Sequence, residues 1–172
     1  MKLEELLAED RDPGTFVGVR FTKETVNNIV KFQEDHKIPN PTPAEELHVT
    51  LIFSRKSITW DPNEDISLSV PPEDGHWKEF PSKDKETGEK TKTALTWAFK
   101  SEYLQKRNEE AMDDGATSDH KEYIPHVTFS YDSTGFDSEK LPKLDFDLEL
   151  DKEYVTELDL DWTTTPKSEK SS

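Results

Sequence analysis

The tripeptide His-Val-Thr occurs twice in this chain, at His48-Val49-Thr50 and at His126-Val127-Thr128. Each copy lies in an apolar, β-rich run, Leu47 to Phe53 for the first and Pro125 to Phe129 for the second. Alternate side chains of a strand share a face, so each His stands with its own Thr while the apolar neighbours take the other face. Two such strands can bring two imidazoles and two hydroxyls to one cleft. An imidazole titrates near 6.5, so at neutral pH one ring can act as a neutral base and its partner as a protonated acid. Hydroxyls can donate to oxygens on which charge builds. That set suffices for acid–base chemistry on a phosphodiester without a metal.

Positioning the pair requires a scaffold, and the pattern along the chain supplies one. Met1 to Arg11 has short helical character, and Asp12-Pro13-Gly14 is a turn. Phe16 to Phe21 reads as a strand. Thr22 is placed to cap a helix from about Lys23 to Asp35, with Val26, Ile29 and Val30 inward. A three-proline loop from Pro39 to Pro43 leads into the first His strand, and Trp60 to Asp65 is a loop. Ile66 to Val70, His76 to Phe80 and Thr93 to Phe99 read as strands, the last two joined by a charged hairpin loop from Pro81 to Thr91. Ser101 caps a second helix to about Asp114, stopped by Gly115. After the second His strand, Phe146 to Leu150 and Tyr154 to Leu160 alternate apolar and acidic residues as two half-exposed antiparallel strands. The order strand, helix, His strand thus appears twice. A pseudo-symmetric α+β fold would set the two His strands side by side or facing across a groove. Lys167 to Ser172 has the composition of a flexible tail.

Composition narrows the classes. A chain of 172 residues fits one domain, or one domain with two similar lobes. With 35% charged and 31% hydrophobic residues the core is modest, and 9 Phe, 4 Tyr and 4 Trp supply much of its burial. The absence of Cys removes disulfides, thiolate zinc sites and a cysteine nucleophile. There is no His-x-His, no His-Glu-x-x-His, no glycine-rich phosphate loop and no Gly-x-Ser-x-Gly elbow, so no metal or cofactor is expected. The charged start lacks a signal peptide and no apolar run is long enough to span a membrane, which points to a soluble, cytosolic protein. A net charge of -16 opposes tracking along DNA, RNA or an anionic membrane. It leaves room for a small phosphate ligand, because the nearest cations dominate within a Debye length of about 8 Å. His36, His76 and His120 read as surface residues and Trp77 as core.

Paired His-x-Thr strands about one lobe apart resemble the two-histidine phosphoesterase superfamily. Further segments narrow the likeness: Gly14-Thr15-Phe16-Val17, Ile38-Pro39-Asn40, Leu47 to Leu51 with Ser54-Arg55-Lys56, Ser101-Glu102-Tyr103-Leu104, and Tyr123-Ile124-Pro125 before the second motif. Together they are similar to the phage anti-CBASS phosphodiesterases, over about Phe16 to Trp162. The resemblance implies an α+β, bilobed fold with antiparallel sheets flanked by helices around a central cleft, in one domain over 1–162 with a tail over 163–172. It implies hydrolysis of 3′,3′-cyclic di- and trinucleotide defence signals to linear 3′-phosphates, in the cytoplasm of an infected bacterium, with no obligate protein partner. His48 and His126 would be the acid–base pair, and Thr50 and Thr128 would hold phosphate oxygens. Which His is acid and which is base stays open. Phe16 and Trp162 would stack bases, Glu157 would accept from an exocyclic amine, Arg55 and Lys56 would meet phosphate, and Tyr123 would stack or hydrogen bond. Two other activities fit the same residues: opening 2′,3′-cyclic phosphates at RNA ends, which the acidic surface disfavours, and sequestering cyclic nucleotides without cleavage.

Overall fold

Thr22 opens the first helix, α1 (Lys23–Asp35), from an extended backbone at φ -64° and ψ 158°, its hydroxyl accepting from the Thr25 amide. Ser101 does the same for the Leu104 amide at the start of α2 (Glu102–Asp113), and Gly115 follows its end at φ 104°, a left-handed conformation that favours glycine. The strands are β1 (Thr15–Phe21), β2 (Val49–Ser54), β3 (Leu68–Val70), β4 (Gly75–Lys83), β5 (Lys90–Phe99), β6 (His126–Ser130) and β7 (Leu148–Glu157). This is a computed structural model, and it describes residues 13–83, 90–118 and 122–157. The helix expected over Met1 to Arg11, His120, Trp162 and the tail over 163–172 lie outside the described residues.

All seven strands join one sheet in the order β3-β7-β1-β2-β6-β5-β4, every pairing antiparallel. The His strands are therefore side by side at its centre. Their seam is short: Val49 pairs with Val127, and beyond it the proline loop takes over, with Pro41 bridging Ser130 and the Thr42 amide bonded to the Phe129 carbonyl. The sheet thus has two halves, β3-β7-β1-β2 and β6-β5-β4, meeting where the histidines sit.

The helices lock these halves together by crossing over. From α1, which follows β1, Phe32 packs on Phe129 of β6 and Trp77 of β4, and Gln33 donates to the Phe129 carbonyl. From α2, which follows β5, Asn108 donates to the Leu51 carbonyl of β2. Arg107 and Tyr103 of α2 reach Glu153 of β7, which is only 2% exposed. That carboxylate also accepts from the Trp60 indole and the Asn63 amide, and Arg107 lies 4.3 Å over the Trp60 ring. Burial would push its pKa up, but the bonds from Arg107, Tyr103 and Trp60 hold it below the ordinary value.

This network corrects one expectation. The alternation over Phe146 to Leu150 and Tyr154 to Leu160 predicts two strands, with Asp151-Lys152-Glu153 between them. They merge into one strand, β7, which starts at Leu148, with Phe146 before it, and is described to Glu157. Arg107 and its neighbours satisfy Glu153 on the core side, and a bulge opposite Arg20/Phe21 absorbs the extra residue at Asp151. The hairpin between β4 and β5 is also tighter than expected, with pairing through Pro81 to Lys83; proline is tolerated there because β4 is the sheet edge. The strand expected over Ile66 to Val70 shortens to Leu68–Val70.

Candidate active site

The His-x-Thr pattern reads out in burial as alternation predicts. Val49 and Val127 are fully buried, while His48, Thr50, His126 and Thr128 are half-buried on the opposite face. A bulge in β2 falls just past this pattern. Val17 pairs with Ile52 but Gly18 pairs with Thr50, so Leu51 is extra. Leu51 and Ile52 both go inward, and Thr50 keeps the face of His48. With Val49 opposite Val127, the antiparallel register sets His48 toward Thr128 and Thr50 toward His126. The four side chains therefore interleave across the seam.

Both imidazoles are anchored alike. Nδ1 of His48 donates to the Glu46 carbonyl at 2.8 Å, and Nδ1 of His126 donates to the Ile124 carbonyl at 2.9 Å. A carbonyl only accepts, so Nδ1 carries the hydrogen in each ring and Nε2 is left for chemistry. The Thr50 hydroxyl lies 3.4 Å from Nε2 of His48. Glu46 is itself held, because its carboxylate accepts from the Tyr131 hydroxyl. Burial lowers the pKa of His48, with smaller pushes the same way from Arg20 and His126 that oppose the Glu46 carbonyl bond. Neutral His48 is therefore favoured near pH 7.

Around the pair the register gathers residues from both halves. Gly18 pairs with Tyr154, Arg20 with Lys152, and Lys78 and His76 lie two strands out from Thr128 and His126. These positions carry no carboxylate although the chain carries a net charge of -16. Phe16 meets the His48 ring edge-on at 5.8 Å and Tyr154 at 6.0 Å. The Arg20 guanidinium sits 4.3 Å over the Tyr154 ring. Gly18 makes this possible: a Cβ there would lie 2.4 Å from the Tyr154 ring, so only glycine lets that ring lie across β1. On the other side Phe80 approaches the His126 ring to 5.1 Å, with the Lys78 ammonium 5.5 Å over it. A cavity of about 320 Å³ opens beside Thr50 and His126 toward Phe53, Met112 and Ile124.

Of the residues singled out in the sequence, the structure brings His48, Thr50, His126, Thr128 and Phe16 together. Tyr123 lines the cavity beside Thr50 and His126: its hydroxyl donates to the Thr50 carbonyl at 2.8 Å, and burial pushes its pKa far up. Its hydroxyl is committed to holding β2. Glu157 does not join the site. It pairs with Thr15, and alternation from Tyr154 turns it to the face opposite Phe16, where it is exposed. Arg55 and Lys56 follow the far end of β2, where the Arg55 amide bonds to Thr117, and neither lines the cavity beside the histidines. His76 is exposed, as expected, and Trp77 packs between Phe32, Phe129 and Trp97 in the core. The sequence reading missed Arg20, Lys78, Phe80 and Tyr154. A signal for Phe80 was present: it is three residues from Trp77, so in one strand the two must point to opposite faces, and only one can be core.

The fold resembles that of solved phosphoesterases. It superposes on a crystal structure of a phosphoesterase with a TM-score of 0.51 at 13% identity, covering 83% of this chain and 86% of that one. Against Escherichia coli LigT complexed with 3′-AMP the TM-score is 0.52 at 14% identity over the same shares. The α+β fold with its antiparallel sheet and two helices is thus that of the two-histidine phosphoesterases.

Sequence then fixes the family. Residues 13–165 match the family model for the anti-CBASS protein Acb1, and the chain belongs to that family. It is 31% identical over 157 residues to the anti-CBASS protein Acb1 of Enterobacteria phage T4, covering 90% of this chain and 94% of that protein. The same protein of Escherichia phage RB16 is 33% identical over 155 residues, covering 88% and 84%. Among the described residues no helix is long and apolar enough to cross a membrane, and no three His, Cys, Asp or Glu cluster to hold a metal ion.

Proposed function

We propose that this protein hydrolyses 3′,3′-cyclic di- and trinucleotides to linear 3′-phosphates without a metal, in the cytoplasm of an infected bacterium, and so removes the signal of an anti-phage defence. The observation that carries the reading is the pair of imidazoles interleaved with two threonines across one seam, each with Nδ1 tied to the backbone carbonyl two residues before it and Nε2 left without a backbone partner.

Neutral His48 is the base. Its Nε2 takes the proton from a ribose 2′-OH, and the resulting oxygen attacks the adjacent phosphorus. The P–O bond to the 5′ oxygen of the next nucleotide breaks, and protonated His126 supplies the proton that this oxygen needs. The product is a 2′,3′-cyclic phosphate, with His48 now protonated and His126 neutral. For the second step the roles reverse. His126 takes a proton from water, the hydroxide opens the cyclic phosphate, and His48 returns its proton to the 2′ oxygen. This leaves a 3′-phosphate and restores both rings. Thr50 and Thr128 donate to the non-bridging oxygens as charge builds on them. Phe16 and Tyr154 offer a stacking surface beside His48, worth about 1–3 kcal/mol per base.

The test is incubation with a panel of cyclic di- and trinucleotides in excess EDTA, reading products by mass. Linear 3′-phosphate products at undiminished rate support the reading. An absolute divalent requirement refutes the metal-free mechanism. Substrate recovered intact refutes catalysis, and preference for an RNA bearing a 2′,3′-cyclic phosphate end refutes the substrate class.

A further inference from the structure

We propose that Phe80 and Lys78 form a second nucleotide platform, which holds the nucleotide on the leaving-group side of the scissile phosphate. This rests on the function proposed above and adds which half of the cleft holds which half of the substrate. A cyclic dinucleotide has two bases and two phosphates. Cutting one phosphodiester places one nucleotide on the side of the attacking 2′-OH and the other on the side of the departing 5′ oxygen. His48 serves the first and His126 the second, so the aromatic surface beside each ring belongs to a different nucleotide.

The cleft has such a surface on each side. Beside His48 stand Phe16 at 5.8 Å and Tyr154, with Arg20 over the tyrosine. Beside His126 stands Phe80 at 5.1 Å, with Lys78 over it. Phe80 is half-buried on an edge strand and turned away from the core face that Trp77 fills. A phenyl ring left on an open sheet face beside an imidazole suits a planar partner, and a base stacks on it whatever its identity. Lys78 has no carboxylate within ion-pair distance among the described residues, so its charge is available to the second phosphodiester of the ring. In a chain this acidic, a lysine and an aromatic ring placed beside the general acid are suited to an anionic, aromatic ligand.

The experiment uses the full chain and a 3′,3′ ring containing one guanine and one adenine, which has two inequivalent bonds to cut. Phe80→Ala is expected to lower kcat/KM by about tenfold, mostly through KM, and to change the ratio of the two linear products, while Phe80→Tyr restores both. Lys78→Gln is expected to raise KM and flatten its salt dependence without changing that ratio. Lys140→Ala, on the exposed surface, is the control. Circular dichroism and a thermal melt check folding; if Phe80→Ala does not fold, Lys78→Gln and Phe80→Leu carry the test. Wild-type values of KM, salt slope and product ratio in the folded variants overturn this inference and leave the phosphodiesterase reading intact. A wild-type enzyme that cleaves no ring overturns both.

Discussion

Gly18→Ala tests whether the cleft floor is assembled as described. The added Cβ would lie 2.4 Å from the Tyr154 ring, and ordinary contact begins near 3.4 Å. The ring must therefore retreat by about 1 Å, a displacement large enough to matter for ligand placement. Arg20 holds that ring from one side and Phe16 abuts it from the other, so the whole stacking surface beside His48 shifts. The imidazoles do not, because they hang from the Glu46 and Ile124 carbonyls. We expect KM to rise about tenfold, roughly 1.4 kcal/mol, with kcat changed less than about threefold. The added methyl could instead obstruct the substrate directly, and a double-mutant cycle separates the two effects. If Tyr154 transmits the effect, Gly18→Ala costs little more once Tyr154→Ala is present; if the methyl blocks substrate, the two losses add. Steady-state kinetics on the four proteins decide. Additive losses, or a fall in kcat larger than the rise in KM, refute the reasoning.

Further outcomes follow from the same geometry. Replacing either imidazole of the proposed acid–base pair, by His48→Ala or His126→Ala, should cost about 100- to 10,000-fold in kcat with little change in KM for the cyclic substrate, measured by product mass. His48 must be neutral to act as base and its pKa is lowered, so kcat/KM should rise with pH through a midpoint below 6.5. Arg20→Gln should move that midpoint upward, and a wild-type midpoint at or above 6.5 contradicts the assignment. Arg107→Met leaves the buried Glu153 carboxylate without its cation and should cost about 3–5 kcal/mol in urea unfolding. Because the folded-state pKa of Glu153 is lowered, its contribution is complete above the unfolded carboxylate value of about 4.3 and is lost as pH falls through the folded one. The wild-type advantage over Glu153→Gln should therefore shrink in acid.

Local rules wrote much of this protein into its sequence. Strand alternation at His48-Val49-Thr50 and His126-Val127-Thr128 put each His with its Thr and each Val in the core, because the period of a strand does not depend on its neighbours. The caps Thr22 and Ser101 set both helix starts, because a cap bond spans only three residues. What tertiary structure decided involves partners far apart in the chain. The sequence could not show that Glu153 is buried and satisfied within one continuous β7, since Arg107, Tyr103 and Trp60 reach it from other elements. Nor could it turn Glu157 away from Phe16, because the face of a strand end depends on its register with β1. The cations and rings around the site, Arg20 over Tyr154 and Lys78 over Phe80, meet the histidines only through a sheet order that sets β7 and β4 outside β1 and β5. Alternation within each His-Val-Thr strand is local and legible from the residues alone, whereas the side chains that surround the histidines are set by the pairing of strands distant in the chain.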